Sequence, residues 1–148
     1  YDINYMGMNA RLDTIQAAIL ISKLEIFDWE IKERNRIANI YSEELKSSYH
    51  IPKIPEGSTS VWAQYTLQST ERDKVMNFLK ENKIPTMIYY PKPMHEQPAY
   101  ENFSLNKDLL ESSKLAKNVF SIPIHPYLTD LEVEYIIENL KKAKNLFL

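Results

Sequence analysis

No cysteine occurs in the 148 residues. That excludes disulfide scaffolds, thiol nucleophiles and thiolate metal sites. Glycine is nearly as scarce, with only Gly7 and Gly57. A Walker loop or a dinucleotide fingerprint needs several glycines in one turn, so neither can be built here. Long apolar runs are missing too. The longest, Ala17-Ala18-Ile19-Leu20-Ile21, falls far short of the roughly 20 residues of a membrane helix. No charged segment followed by an apolar stretch marks a secretory leader at the start. A basic excess is absent as well. Eighteen Lys+Arg against 20 Asp+Glu give a net charge of −2, which points away from nucleic acid and anionic membranes as partners. The expectation is a soluble cytoplasmic protein, or part of one. The chain opens on Tyr1-Asp2-Ile3-Asn4 rather than Met, so its natural start is expected upstream.

What is present is enough for a packed core: 44% hydrophobic and 26% charged residues. Residues 11–47 contain neither Pro nor Gly. Leu12, Ile15, Ile19 and Ile26 form one helical stripe, and Leu20, Leu24, Phe27 and Ile31 a second. A helix apolar on two faces must bury both, so one face needs a further domain or subunit. The period resumes at Ile37, Ile40, Tyr41 and Leu45. This reads as two consecutive helices, or one kinked helix, ending near Ser47-Ser48. Gly57-Ser58-Thr59 is a turn, and residues 60–69 read as a strand rich in β-formers. A helix then begins at Thr70, with Asp73 answering the cap and Val75, Phe78 and Leu79 facing inward. Asn82 is its expected left-handed C-cap. Residues 84–90 read as the next strand, and Pro91, Pro93 and Pro98 stiffen the loop over 91–104. Asn106 is expected to cap a helix reaching Asn118, with Leu109, Leu110, Leu115 and Ala116 inward. Residues 119–124 make a short strand. Thr129-Asp130-Leu131-Glu132 is a capping box opening a final helix that carries Val133, Ile136, Ile137 and Leu140. The order α-α-β-α-β-loop-α-β-α implies an α+β domain. It has a small, largely antiparallel sheet with helices packed on it, preceded by a long apolar helix.

Candidate chemistry is sparse. His50, His95 and His125 are far apart, without the tight spacing to carboxylates that a metal site needs, so no metal is expected. His50 and His125 read as surface or turn residues. His95 sits in a loop dense in Tyr89, Tyr90, Lys92, Gln97 and Tyr100, where ligand contacts concentrate; it fits a ligand site and an ordinary loop equally. Asn9, Arg11 and Asp13 precede the apolar helix. They fit a helix cap with surface charge, and they also fit an anion site. Trp62 and Tyr65 read as core residues on one face of a sheet. Glu43, Glu44, Glu132 and Glu134 read as solvated helix surface, and no carboxylate pair is placed for acid–base work.

One phrase is more specific. Gly7-Met8-Asn9-Ala10-Arg11-Leu12-Asp13-Thr14-Ile15-Gln16-Ala17-Ala18 resembles a segment of the DegT/StrS-type sugar aminotransferases, pyridoxal-phosphate enzymes of the aspartate aminotransferase fold (fold type I). The resemblance continues in order through the chain. It runs through Ser60-Val61-Trp62-Ala63-Gln64-Tyr65, Ile84-Pro85-Thr86, Tyr89-Tyr90-Pro91-Lys92-Pro93-Met94-His95, Gln97-Pro98-Ala99-Tyr100 and Ser121-Ile122-Pro123-Ile124-His125-Pro126. It covers nearly the whole chain. The wording around Trp62 is closest to members acting on keto-sugars of UDP-linked N-acetylated hexoses or hexuronates.

The resemblance implies the C-terminal part of a longer enzyme. Residues 1–48 would join the large domain and dimer interface, and residues 49–148 would form the small C-terminal α+β domain. The Schiff-base lysine would lie upstream, so no catalytic residue is assigned here and the 148 residues alone are expected to be inactive and not to hold the cofactor. Asn9 would reach the cofactor phosphate of the neighbouring subunit in a homodimer. Arg11 would face the same partner site and meet an anionic substrate group. Tyr89, Tyr90 and His95 would line the sugar-nucleotide pocket. The implied reaction moves an amino group, usually from glutamate, to a nucleotide-linked keto-sugar for cell-surface polysaccharide or glycan biosynthesis. Two alternatives stand beside it. One is a pyridoxal-phosphate sugar dehydratase of the same family, in which His replaces the lysine. The other is a stand-alone, non-catalytic α+β binding module.

Overall fold

The computed structural model describes residues 2–5, 7–8, 11–100, 102 and 109–148. The elements run α1 (Thr14–Leu24), α2 (Phe27–Leu45), β1 (Tyr65–Gln68), α3 (Arg72–Glu81), two 3₁₀ turns (Met94–Glu96 and Pro98–Tyr100), α4 (Leu110–Asn118), β2 (Val119–Ile122) and α5 (Asp130–Phe147). The α+β expectation holds. The sheet is a two-stranded antiparallel pair, with Tyr65 opposite Ile122 and Gln68 opposite Val119. Helices α2, α3 and α5 close one core around it. Ile37, Tyr41 and Leu45 of α2 meet Leu67, Phe120, Val75, Leu79, Val133 and Leu140 there. Tyr49 Oη donates to Leu140 O at 2.8 Å and Tyr41 Oη to Pro123 O at 3.0 Å, so the buried phenols are satisfied. Burial pushes both hydroxyls above the usual tyrosine range.

The expected strand over 60–69 shrinks to four residues because Trp62 adopts a left-handed backbone, φ +47°. That conformation costs about 1–2 kcal/mol for a non-glycine residue, and α2 holds it in place. Arg34 Nη1 donates to Trp62 O at 2.9 Å and to Ile124 O at 3.1 Å. Trp62 Nε1 donates to Asn35 Oδ1 at 3.1 Å. Trp62 and Tyr65 are core residues as expected, with ring centroids 5.3 Å apart. The strand expected over 84–90 is reduced to one bridge, in which Met87 and Ser121 exchange backbone hydrogen bonds of 3.0 and 2.8 Å. Pro85 lacks the donor that would extend it. The last strand stops at Ile122, not 124, ahead of Pro123.

The cap of α3 also differs. Glu71 holds the N-cap position without a side-chain hydrogen bond, so Thr70 and Asp73 form no capping box. At the other end the left-handed residue is Lys83, φ +59°, not Asn82. Lys83 N donates to Lys80 O and Ile84 N to Leu79 O, which is a Schellman closure. Asn106 lies outside the described residues. Of the residues expected to face inward on α4, only Ala116 is buried; Leu109, Leu110 and Leu115 are exposed. The capping box at Thr129 and Glu132 forms as read, and Val133, Ile136, Ile137 and Leu140 are buried.

The first helix buries nothing, although both its faces are apolar. Ile15 is 77% exposed, Ile21 67% and Leu24 66%. A break at Glu25-Ile26 separates it from α2. Lys23 Nζ spans that break to Glu30 Oε1 at 3.3 Å, and Tyr127 Oη donates to the same oxygen at 2.7 Å. The tyrosine hydrogen bond, with Lys23, holds the Glu30 carboxyl below its ordinary range.

Candidate substrate loop and its partners

The loop over 91–100 is stiff because its backbone is pinned at several points. Pro93 O accepts from Glu96 N at 3.1 Å, and Gln97 N donates to Met94 O at 3.1 Å, closing the first 3₁₀ turn. Gln97 is buried and works in two directions. Its Oε1 accepts from Ile3 N at 3.0 Å, and its Nε2 donates to Lys92 O at 3.4 Å. Ala99 N donates to Ile3 O at 2.9 Å, and Lys92 forms an ion pair with Asp2 that lowers the Asp2 pKa. The segment preceding the Gly7–Ala18 phrase is therefore stitched onto the proline-rich loop, about 90 residues away in sequence.

Beside the loop lies an open depression of about 470 Å³, lined by Tyr90, Met94, His95, Ser112, Leu115 and Val119 among others. Its wall is a stripe of α4 and the start of β2: Ser112, Leu115, Ala116 and Val119 recur at helical spacing. The apolar side of α4, expected to face the core, faces this depression instead. The structure brings Tyr90 and His95 together here. Tyr90 is 73% exposed, whereas the His95 side chain is only 14% exposed. Tyr89, the neighbour of Tyr90, is 41% exposed and does not line the depression. Arg11 is exposed ahead of α1, and Asn9 lies outside the described residues. The N-cap of α1 is Asp13, whose side chain makes no capping hydrogen bond. His50 and His125 are exposed, as expected: His50 bridges Gln68 through its backbone, and His125 Nδ1 accepts from Tyr127 N at 3.3 Å.

Reading the sequence singled out the loop but not the residues that fix it. Glu96, Ser112 and Ser113 carried no signal of their own. Gln97 was visible only as part of a motif. Among the described residues no cluster of His, Asp and Glu could hold a metal. The described residues also do not by themselves fit pyridoxal phosphate. No described lysine is buried, none lines the depression, and no buried side-chain polar atom among the described residues is left without a partner. Asn9, the residue expected to reach the cofactor phosphate, lies outside the described residues, and Arg11, expected to meet the substrate, stands in the open.

Known proteins resemble this chain in sequence and fold. The UDP-2-acetamido-2-deoxy-3-oxo-D-glucuronate aminotransferase of Pseudomonas aeruginosa is 41% identical over 132 residues, 88% of this chain and 36% of that protein. The dTDP-3-amino-3,6-dideoxy-alpha-D-galactopyranose transaminase of Aneurinibacillus thermoaerophilus is 34% identical, over 96% of this chain and 39% of its own length. The crystal structure of a DegT DnrJ EryC1 StrS aminotransferase from Brucella abortus superposes with a TM-score of 0.84 at 42% identity, covering 96% of this chain and 38% of that one. The chain thus spans somewhat more than a third of the length of these relatives. The family model for DegT/DnrJ/EryC1/StrS aminotransferases matches residues 1–141, and the chain belongs to that family.

Proposed function

We propose that these residues are the C-terminal part of a pyridoxal-phosphate-dependent nucleotide-sugar aminotransferase. The cofactor is the family's own and supplies the electron sink for moving the amine. The amino donor is glutamate and the acceptor a UDP-linked keto-sugar. The enzyme acts in the cytoplasm as a homodimer and serves cell-surface polysaccharide or glycan biosynthesis. The observation that carries the reading is the 41% identity to an aminotransferase named for a UDP-linked, N-acetylated 3-oxo-hexuronate.

Within it, residues 1–48 form the junction with the large domain and partner, and residues 49–148 the small domain. Asn9 donates to the cofactor phosphate of the neighbouring subunit. Arg11 meets an anionic group of the substrate. Tyr89, Tyr90 and His95 line the pocket that holds the sugar nucleotide, where aromatic faces and a few fixed polar groups suit a sugar ring. What supports the loop's role is its fixed shape. Gln97 and the Pro93–Glu96 turn leave it little freedom to lose on binding.

The test is turnover by the full-length enzyme loaded with pyridoxal phosphate and supplied with glutamate. With a UDP-linked 3-keto-N-acetylhexosamine or its uronate, 2-oxoglutarate is expected to appear together with the amino sugar. Turnover of dTDP-linked ketones alone would reassign the nucleotide, and a dehydrated sugar without transfer would reassign the reaction. The 148 residues alone are expected to give no transamination; turnover by them would refute the division of labour proposed here.

A further inference from the structure

His95 is held by two groups that lie outside the sequence motif's obvious chemistry. Its Nε2 is 3.4 Å from Ser113 Oγ on α4 and 3.5 Å from Glu96 Oε1 in the same 3₁₀ turn. Ser113 Oγ in turn donates to Glu96 Oε1. This triangle decides which ring nitrogen carries the proton. A carboxylate offers only lone pairs, and the one hydroxyl proton of Ser113 is already given to that carboxylate. Both oxygens therefore present lone pairs to Nε2, and the ring must supply the hydrogen. The neutral imidazole is then protonated at Nε2, and Nδ1 is its acceptor.

We infer that Ser113 and Glu96 are positioning residues that hold His95 as its Nε2–H tautomer, so that Nδ1 accepts a hydrogen bond from a hydroxyl or amide N–H of the bound sugar. The donor side of the ring is committed within the chain, so His95 does not serve as a donor to the diphosphate. The inference rests on the reading of His95 as a substrate-pocket residue and adds to it the chemistry of the contact. Geometry favours it further: the side chain is 14% exposed beside the depression, so its orientation is fixed before a ligand arrives. Ser113 follows Ser112, a residue of the depression's wall, on α4, which ties the loop's histidine to a helix rather than to another loop.

The experiment uses full-length protein labelled with ¹⁵N-histidine, at a pH where the imidazole is neutral. The His95 signals are assigned by their loss in His95→Gln. Two-bond ¹⁵N–¹H correlations are expected to show Nε2 protonated in the native protein, a tautomer mixture in Ser113→Ala, and the native pattern in Ser113→Thr, which keeps the hydroxyl. In steady-state kinetics Ser113→Ala is expected to raise KM for the sugar nucleotide about three- to tenfold, the worth of one hydrogen bond. The half-reaction with the amino donor stays unchanged, which a general loss of folding would not allow. His95→Asn, whose amide reaches the Nδ1 position, is expected to bind substrate better than His95→Gln. Protonation at Nδ1 in the native protein, or a Ser113→Ala variant native in both tautomer and KM, overturns the positioning role. A native Nε2–H tautomer with an unchanged KM in His95→Gln instead overturns the substrate reading, and the acceptor role falls with it.

Discussion

At the scale of single residues, two non-glycine backbones among the described residues stand in the left-handed region, Trp62 and Lys83, and the structure treats them differently. Trp62 is locked by a buried indole that donates to Asn35 and by a hydrogen bond from Arg34 to its carbonyl, so its conformation is repaid by neighbours. Lys83 has no such support: its side chain is exposed, and the Schellman bonds around it are made by backbone alone. The position following a helix C-cap in this motif favours glycine because no Cβ meets the preceding carbonyl. Lys83→Gly is therefore expected to stabilise the fold by about 1 kcal/mol, seen as a higher denaturant midpoint at unchanged slope. A destabilised variant would show that the Lys83 side chain does something its exposure does not reveal. Sequence reading placed the left-handed residue at Asn82, one position early. Asn82 has the right chemistry for that geometry, but its amide is used to donate to Phe78 O at 2.8 Å, which keeps it within the helix end.

At the scale of elements, legibility followed the range of the interactions. Thr129 and Glu132 were readable because a capping box is local: Glu132 N donates to Thr129 Oγ1 at 3.3 Å, and Thr129 N returns a bond to Glu132 Oε2 at 2.8 Å. Helices α2, α3 and α5 were readable from their apolar period. Strand lengths were not: Trp62's turn is set by α2, distant in sequence, and residues 84–90 meet β2 at the single Met87–Ser121 bridge. The candidate site divides in the same way. The loop with Tyr90 and His95 stood out by composition, whereas the Ser113 hydroxyl that orients His95 arrives on α4 with no local mark. The capping box also makes a pH prediction. The Thr129 backbone N–H, then its hydroxyl, stabilise the Glu132 carboxylate and lower its pKa from 4.5. A depressed folded value means that this stabilisation is complete above the unfolded value and is lost as pH falls through the folded one. Glu132→Gln removes the titration while keeping an oxygen for the cap. The native protein is thus expected to be the more stable at pH 7, with the difference shrinking as pH falls below about 4.5, the ordinary glutamate value, in chemical denaturation at a series of pH values. A difference that stays constant down to pH 2 would mean that the carboxylate's charge contributes nothing to the cap.

At the scale of the whole molecule, the division is between a body that satisfies itself and a helix that does not. The core joins α2, α3, α5 and the strand pair, and its buried phenols have partners. Helix α1 contributes no buried residue and, with Leu12 just ahead of it, shows Ile15, Ile19, Leu20, Ile21 and Leu24 to solvent. Contiguous apolar surface of this kind marks an interface, and its presence on both faces of one helix suits the junction proposed for residues 1–48. The helix is nevertheless aimed, not loose at its root, because Lys23, Glu30 and Tyr127 bind its last turn to α2 and to the segment before α5. Replacing Ile15 and Ile19 together by Glu should then separate two properties. The body loses nothing that it buries, so its unfolding midpoint is expected to stay within about 0.5 kcal/mol of the native chain, as for surface substitutions. Association is expected to change outright. The native 148 residues should sediment as dimers or larger species with strong binding of a hydrophobic dye, and the double variant as a monomer with little. A native chain that is monomeric at high concentration and binds no dye would leave the apolar helix without the partner its surface calls for, and the stand-alone module would become the better description.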